Sequence, residues 1–395
     1  MFDAEPEGWH SRFVGDLISE VVDRIDPGQI GIMDLPYVGL EHIEQGTGRL
    51  SGVGRASEVV SQKSRFSAGD ILYGKLRPNL RKVARPDFDG VCSTDIVVFR
   101  AKAGADVDFA FQLLQSEPLV AHAVASSAGT KMPRTHARSI LKFEAATPPL
   151  DEQRKIAEVL RSMDEVIALA KRSASSARST FNRLIDDLHA RYEGNSAPLA
   201  DFCVPKGLQT GPFGSQLKVA DYVDQGIPVI MPSDLRPNGI DFLGAKATST
   251  LKADQLPQHH LKPGDILFSR RGDVEKCGLY LEGDPPAICG TGCLRARIDG
   301  SKADPVLIYF LAQSERCGSW LAQHAVGVTM PNLNTSIVGS LPMPNLPLPD
   351  QKQWVDALLL AEGACRVNEA YHRQAQIMKS VLSSDLLSGR VRVPA

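Results

Sequence analysis

Residues 149–160 read PLDEQRKIAEVL, and residues 347–358, 198 positions later in a chain of 395, read PLPDQKQWVDAL. Proline, leucine, glutamine and the closing leucine coincide, and Glu152/Asp350 and Arg154/Lys352 are chemical equivalents. Four further pairs recur in the same order before each copy. VGDL (14–17) matches LADF (199–202), and PYVGLEHI (36–43) matches PVIMPSDL (228–235). SAGDILYGKLR (67–77) matches KPGDILFSRRG (262–272), and GTKMPRTHARSI (129–140) matches GVTMPNLNTSIV (327–338). A period this long means that a whole structural unit is present twice.

Each copy of the proline–leucine motif opens a long helix. Ile156, Leu160, Met163, Ile167, Ala170, Ala174, Ala177, Phe181, Leu184 and Leu188 alternate in steps of four and three, a heptad seam along one helix face. Pro148 and Pro149 mark its start and EGNSAP (193–198) breaks it, giving a rod of ~60 Å at 1.5 Å per residue. The second seam runs through Trp354, Leu358, Ala361, Cys365, Asn368, His372, Ala375, Leu382 and Leu386. Asn368 and His372 make its middle polar, where a buried polar residue can fix register. Two such helices in one chain have each other as the obvious partner.

Inside each unit the pattern is α+β. TDIVVFRA (94–101) and GCLRARID (292–299) read as strands, and GDIL followed by an aromatic reads as a turn feeding a strand. DFAFQLLQSE (108–117) and PVLIYFLAQSE (305–315) each read as one short helix. The expected divisions are a globular unit over 1–147, a helix over 148–194, a second unit over 195–346 and a second helix over 347–395.

Catalytic signatures are missing. GDPPAI (283–288) resembles an amino-methyltransferase motif but has Ala287 where a base-stacking aromatic is needed, so it reads as a proline turn. There is no Glu-x-Lys for a nuclease and no G-x-x-x-x-G-K-[ST] phosphate loop. Cys289 and Cys293 with His259 and His260 fit no common zinc spacing and read as structural thiols and surface histidines. The seven cysteines, an odd number without C-x-x-C, suit a reducing compartment. The acidic MFDAEPEGWH start is unlike a secretory signal, and no apolar run approaches the ~18 residues of a membrane span. A cytoplasmic protein without a membrane partner is the expectation. The net charge of -2 excludes a uniformly basic surface but permits a locally basic face.

Two α+β units, each followed by PL-x-[DE]-Q and a long helix, resemble the specificity subunit of Type I restriction–modification enzymes. TGPFGSQLK (210–218), KPGDILFSRRGD (262–273), TMPNLNTS (329–336) and DLLSGRVRV (385–393) are similar to segments of that family. The first unit departs from it, with no GPFGSQLK and with Arg134 and His136 where the second unit has Asn332 and Asn334. The resemblance implies two target recognition domains, each reading one half of a split, asymmetric site on double-stranded DNA. It implies that the long helices pack as an antiparallel coiled coil, and that two methyltransferase subunits, and for restriction motor–nuclease subunits, join the scaffold. S-adenosylmethionine, ATP and magnesium would then sit on those partners, leaving this chain non-catalytic and without a cofactor of its own. Half-sites about a helical turn apart, on the order of 34 Å, suit a rigid rod, since a flexible linker would leave the spacing undefined.

DNA contact is expected from basic and amide side chains on loops after strands. In the first unit these are Lys75, Arg77, Asn79, Arg81, Lys82, Lys131, Arg134, His136 and Arg138. In the second they are Ser215, Gln216, Lys218, Ser269, Arg270, Arg271, Thr329, Asn332, Asn334 and Ser336. Arg154, Lys155, Arg161 and Arg172 on the first helix read equally as a partner-docking face or a solvated one. The other class of function open to this pattern is an interaction scaffold or antirestriction decoy that keeps the duplicated fold without reading DNA.

Overall fold

The computed structural model describes residues 6–26, 32–129, 131–236, 239–327 and 331–393. The chain divides into two compact units, residues 1–172 with 369–395, and residues 173–368. Each therefore takes a share of both long helices.

In the first unit a four-stranded antiparallel sheet runs Ile18–Val21, Ile96–Ala101, Ile71–Gly74, Val83–Ala84. The side chains of Ile96, Val97, Val98 and Phe99 are all buried, so this central strand reads as an unbroken apolar run rather than an alternation. A second sheet of short strands contains one parallel pairing, Pro36–Val38 with Gly90–Cys92. The second unit repeats the scheme. Its antiparallel sheet runs Cys203–Thr210, Cys293–Ile298, Asp265–Ser269, Cys277–Leu279, and its companion sheet pairs Ile227–Ile230 in parallel with Ile288–Cys289.

The repeated Gly-Asp-Ile-Leu has a physical reason. Asp70 Oδ2 accepts the N–H of Ser67 at 2.8 Å, closing the turn, while Arg100 donates Nε and Nη2 to the two carboxylate oxygens at 2.7 Å each. Asp265 does the same with Lys262 N–H at 2.8 Å and Arg297 at 2.7 Å twice. Each bidentate pair ties the turn to the neighbouring strand.

The helical segments extend the sequence reading at one point. The short helices expected over 108–117 and 305–315 are Val107–Leu114 and Pro305–Ala312, and each is followed by a second helix that the reading did not name, Glu117–Ala125 and Glu315–His324. The break falls at serine: Ser314 Oγ accepts the N–H of Cys317 at 3.2 Å and caps the start of the second helix.

The long helices span Leu150–Arg191 and Leu348–Ser388. In the first unit Ile156, Ala157 and Leu160, from the start of one, share a core with Leu386 and Leu387, from the end of the other. In the second unit Phe181, Ile185 and Leu188 meet Val355, Leu358 and Cys365, so end packs on start and the helices run antiparallel. None of the seam residues expected from the heptads is exposed. Asn368 turns its Nδ2 back on its own helix, donating to Ala364 O at 2.8 Å. A cross-helix polar lock exists elsewhere: Lys379 Nζ meets Asp164 Oδ1 at 2.6 Å, and Gln112 Nε2 donates to Asp164 Oδ2 at 2.9 Å.

Candidate nucleic-acid interface

In both units the fold joins the two segments singled out from the sequence. Residues 75–82 leave the strand Ile71–Gly74 and pair with residues 133–135. Arg77 N–H donates to Pro133 O at 2.8 Å, Thr135 N–H to Lys75 O at 3.1 Å, and Leu76 bridges Arg134. In the second unit Gly272 N–H donates to Pro331 O at 3.3 Å, Leu333 N–H to Arg270 O at 2.9 Å, and Arg271 bridges Asn332. Hydrogen bond by hydrogen bond, Lys75 is the counterpart of Arg270, Arg77 of Gly272 and Arg134 of Asn332.

The first unit presents Arg77, Asn79, Lys131, Arg134, His136 and Arg138 as exposed side chains around this junction. Arg77 and Arg81 hold left-handed backbone (φ +50° and +47°) on either side of the turn Pro78–Leu80. Such conformations cost non-glycine residues about 1 kcal/mol or more and concentrate at functional sites. Arg134 pairs with Asp95 at 3.0 Å, which orients the guanidinium while leaving its side chain 55% exposed. Two candidates have their charge engaged: Arg81 with Glu117, and Lys82, whose Nζ donates to Leu40 O at 2.6 Å. Lys75 is half-buried.

In the second unit Ser215, Gln216, Lys218, Arg271, Asn334 and Ser336 are exposed and Arg270 and Asn332 half-buried. Gln216 Oε1 accepts Phe213 N–H at 3.1 Å and Asn334 Oδ1 accepts Ile337 N–H at 2.8 Å, so both amides also shape local backbone. Ser269 is a correction. It ends a strand whose five residues are all buried, and its hydroxyl donates to Arg271 O at 3.1 Å, so it faces no ligand. Thr329 lies outside the described residues.

Arg270 carries the most specific geometry. Its guanidinium lies 4.6 Å over the Phe213 ring and its Nε donates to Leu333 O at 3.1 Å. Burial, and the charge of adjacent Arg271, push its pKa down, though a guanidinium remains charged. Phe213 is absent from the contacts expected from the sequence, although an aromatic between Pro212 and Gly214 in a turn is a usable signal.

Cys289 and Cys293 are buried with thiols pushed up by desolvation, Cys289 to about 12. His259, expected at the surface, is buried, and His260 Nε2 lies 2.9 Å from Ala253 O. Among the described residues no group of three or more His, Cys, Asp or Glu could hold a metal, and no helix is long and apolar enough to cross a membrane.

Residues 6–176 match the family model described as "Type I restriction modification DNA specificity domain". The chain is 30% identical over 195 residues to the specificity subunit of the Type I restriction enzyme EcoDI of Escherichia coli, an alignment covering 47% of this chain and 41% of that protein. It is 20% identical over 420 aligned positions to the Type I restriction enzyme MjaVIII specificity subunit of Methanocaldococcus jannaschii, covering 98% and 94% of the two chains. Among solved structures, the Type I restriction–modification S subunit from M. genitalium matches with a TM-score of 0.59 at 13% identity, covering 96% of each chain. A chain from a structure concerned with complex assembly and conformational transition of the type I R-M system matches at 0.61 with 19% identity, covering 98% of this chain and 100% of that one. Residues 6–176 are thus similar to a Type I restriction–modification DNA specificity domain, and along nearly its whole length the chain is similar to Type I specificity subunits.

Proposed function

We propose that this chain is the DNA sequence-recognition subunit of a Type I restriction–modification complex. Each unit reads one half of a bipartite, asymmetric site, and the paired long helices set the spacing and dock two methyltransferase subunits. The observation that carries this reading is the doubled junction. In both units the same backbone hydrogen bonds hold a strand end against a loop at Pro133 or Pro331, while the side chains displayed there differ. Constant backbone with changed Lys/Arg/Asn chemistry is what two readers of different sequences require.

The chain supplies recognition, and the chemistry belongs to its partners. S-adenosylmethionine would be bound by the methyltransferase subunits, and ATP and magnesium by motor–nuclease subunits where these join. The setting is the cytoplasm, where the DNA is. The contact set is Lys75, Arg77, Asn79, Lys131, Arg134, His136 and Arg138 in the first unit. In the second it is Ser215, Gln216, Lys218, Arg270, Arg271, Asn332, Asn334 and Ser336.

Methylation mapping on DNA exposed to this chain assembled with a methyltransferase partner tests the proposal. The expected result is adenine methylation confined to a two-part motif with fixed spacing. Methylation without sequence preference would overturn it, and competition binding at stated salt that showed no sequence dependence would favour a scaffold or decoy instead.

A further inference from the structure

Phe213 is a large apolar side chain that is 42% exposed, on a loop fixed from several sides. Gly211 N–H donates to Cys293 O at 3.0 Å, and a Cβ at Gly211 would stand 1.8 Å from Gly290 O, so only glycine can enter the loop there. Phe213 N–H is held by Gln216 Oε1 at 3.1 Å, Gln216 N–H returns to Phe213 O at 2.9 Å, and Leu217 is buried. A ring kept this still at the surface is a platform, and what lies on it is the Arg270 guanidinium.

Arg270 is fixed in turn. Its main-chain N–H donates to Gly292 O at 2.8 Å and its Nε to Leu333 O at 3.1 Å. With the Nε used, the fork is left with its two Nη groups. Nη1 is screened from water and has no partner, and so is Oδ1 of Asn332, the residue before Leu333. A planar guanidinium already held flat loses little freedom on binding, and its remaining Nη2 donor suits O6 or N7 of guanine in the major groove. The first unit has Lys75 at the equivalent position and no Gly-Pro-Phe-Gly loop. A lysine is a point charge without that fork.

We propose that Phe213 is a positioning residue for base readout: by holding Arg270 flat it presents the Nη2 donor to a guanine in the half-site read by residues 173–368. The proposal rests on the DNA-reading function given above. The test is methylation mapping with the full chain in complex with its methyltransferase partner, as wild type, Phe213→Ala, Phe213→Tyr and Arg270→Lys.

Wild type should require guanine at one position of one half-site. Phe213→Ala should lower that preference by about tenfold to a hundredfold and leave the other half-site intact. Arg270→Lys should relax the same position, and Phe213→Tyr, which keeps the ring, should retain it. Should Phe213→Ala fail to fold, Phe213→Leu, which fills the space without an aromatic face, decides the matter by the same criterion. An unchanged motif in Phe213→Ala or Arg270→Lys would overturn the proposal, as would uniformly weaker methylation with no change of motif. A wild-type complex with no bipartite motif would overturn the function itself, and this proposal with it.

Discussion

Gln153 Oε1 accepts the main-chain N–H of Asp106 at 3.0 Å, and its Nε2 donates to Pro148 O at 2.9 Å. One period later Gln351 Oε1 accepts Asp304 N–H at 2.7 Å and its Nε2 donates to Leu346 O at 2.9 Å. Both amides are buried. The glutamine shared by both copies of the motif is therefore a clip. It joins the first turn of each long helix to the residue that caps a shorter helix, since Asp106 and Asp304 also accept N–H bonds at 2.8 Å from Phe109 and Val306.

Gln153→Leu and Gln351→Leu each leave one half-buried N–H and one buried carbonyl without the glutamine partner. Each should lower unfolding free energy by about 2–3 kcal/mol, read as a shift of the urea midpoint with little change of slope. An unchanged midpoint in either variant would show that the clip is replaced by water.

The two aspartate–arginine pairs should differ in strength. Asp265 is fully buried and its Arg297 partner 23% exposed, whereas Arg100, the partner of Asp70, is 51% exposed. Breaking a buried pair by removing one partner costs about 3–5 kcal/mol, and an exposed one much less. Asp265→Asn should therefore destabilise more than Asp70→Asn in matched denaturant titrations. The reverse order would mean that exposure of the arginine does not govern the pair.

How much of the molecule is legible in its sequence depends on where the chemistry lies along the chain. The glutamine clip and the Gly-Asp-Ile-Leu turn are visible as repeats because each makes contacts that must recur in both copies. The seams are visible because residues such as Ile156 and Leu160 keep one period over many turns. Strands such as Gly54–Arg55 and Arg24–Ile25 are two residues long and carry no period. Ser269 reads as a loop hydroxyl because nothing in Ser-Arg-Arg-Gly-Asp says where the buried strand ends. Lys379 and Asp164 meet across 215 positions, and Phe213 meets Arg270 through tertiary packing alone.

His189 makes the second unit sensitive to acid. It sits buried near the end of the first long helix, 3.4 Å from Ser314 Oγ. Burial first, then the Arg316 charge, push its pKa from 6.5 down to about 4. The folded state therefore refuses a proton that the unfolded chain accepts. Stability is intact above pH 6.5 and falls as pH drops toward 4, by about 3 kcal/mol at most. His189→Gln should flatten the stability profile across that interval. An equal slope in wild type and variant would assign the acid loss to other groups.

Arg77 separates stability from recognition. Its backbone is left-handed at φ +50°, and its counterpart in the second unit is Gly272, at φ +78°. Glycine holds such a conformation without steric cost, and arginine does not. Arg77→Gly should therefore leave the first unit as stable as before or up to about 1 kcal/mol more stable, because relieved strain offsets the freedom gained by the unfolded chain. It should at the same time weaken DNA binding and lower the steepness of its salt dependence by about one phosphate contact. Gly272→Arg is the mirror test and should cost stability in the second unit. If Arg77→Gly bound DNA as tightly as wild type over a salt series, the strained arginine would have no part in the interface, and its conformation would be a consequence of the Pro78–Leu80 turn alone.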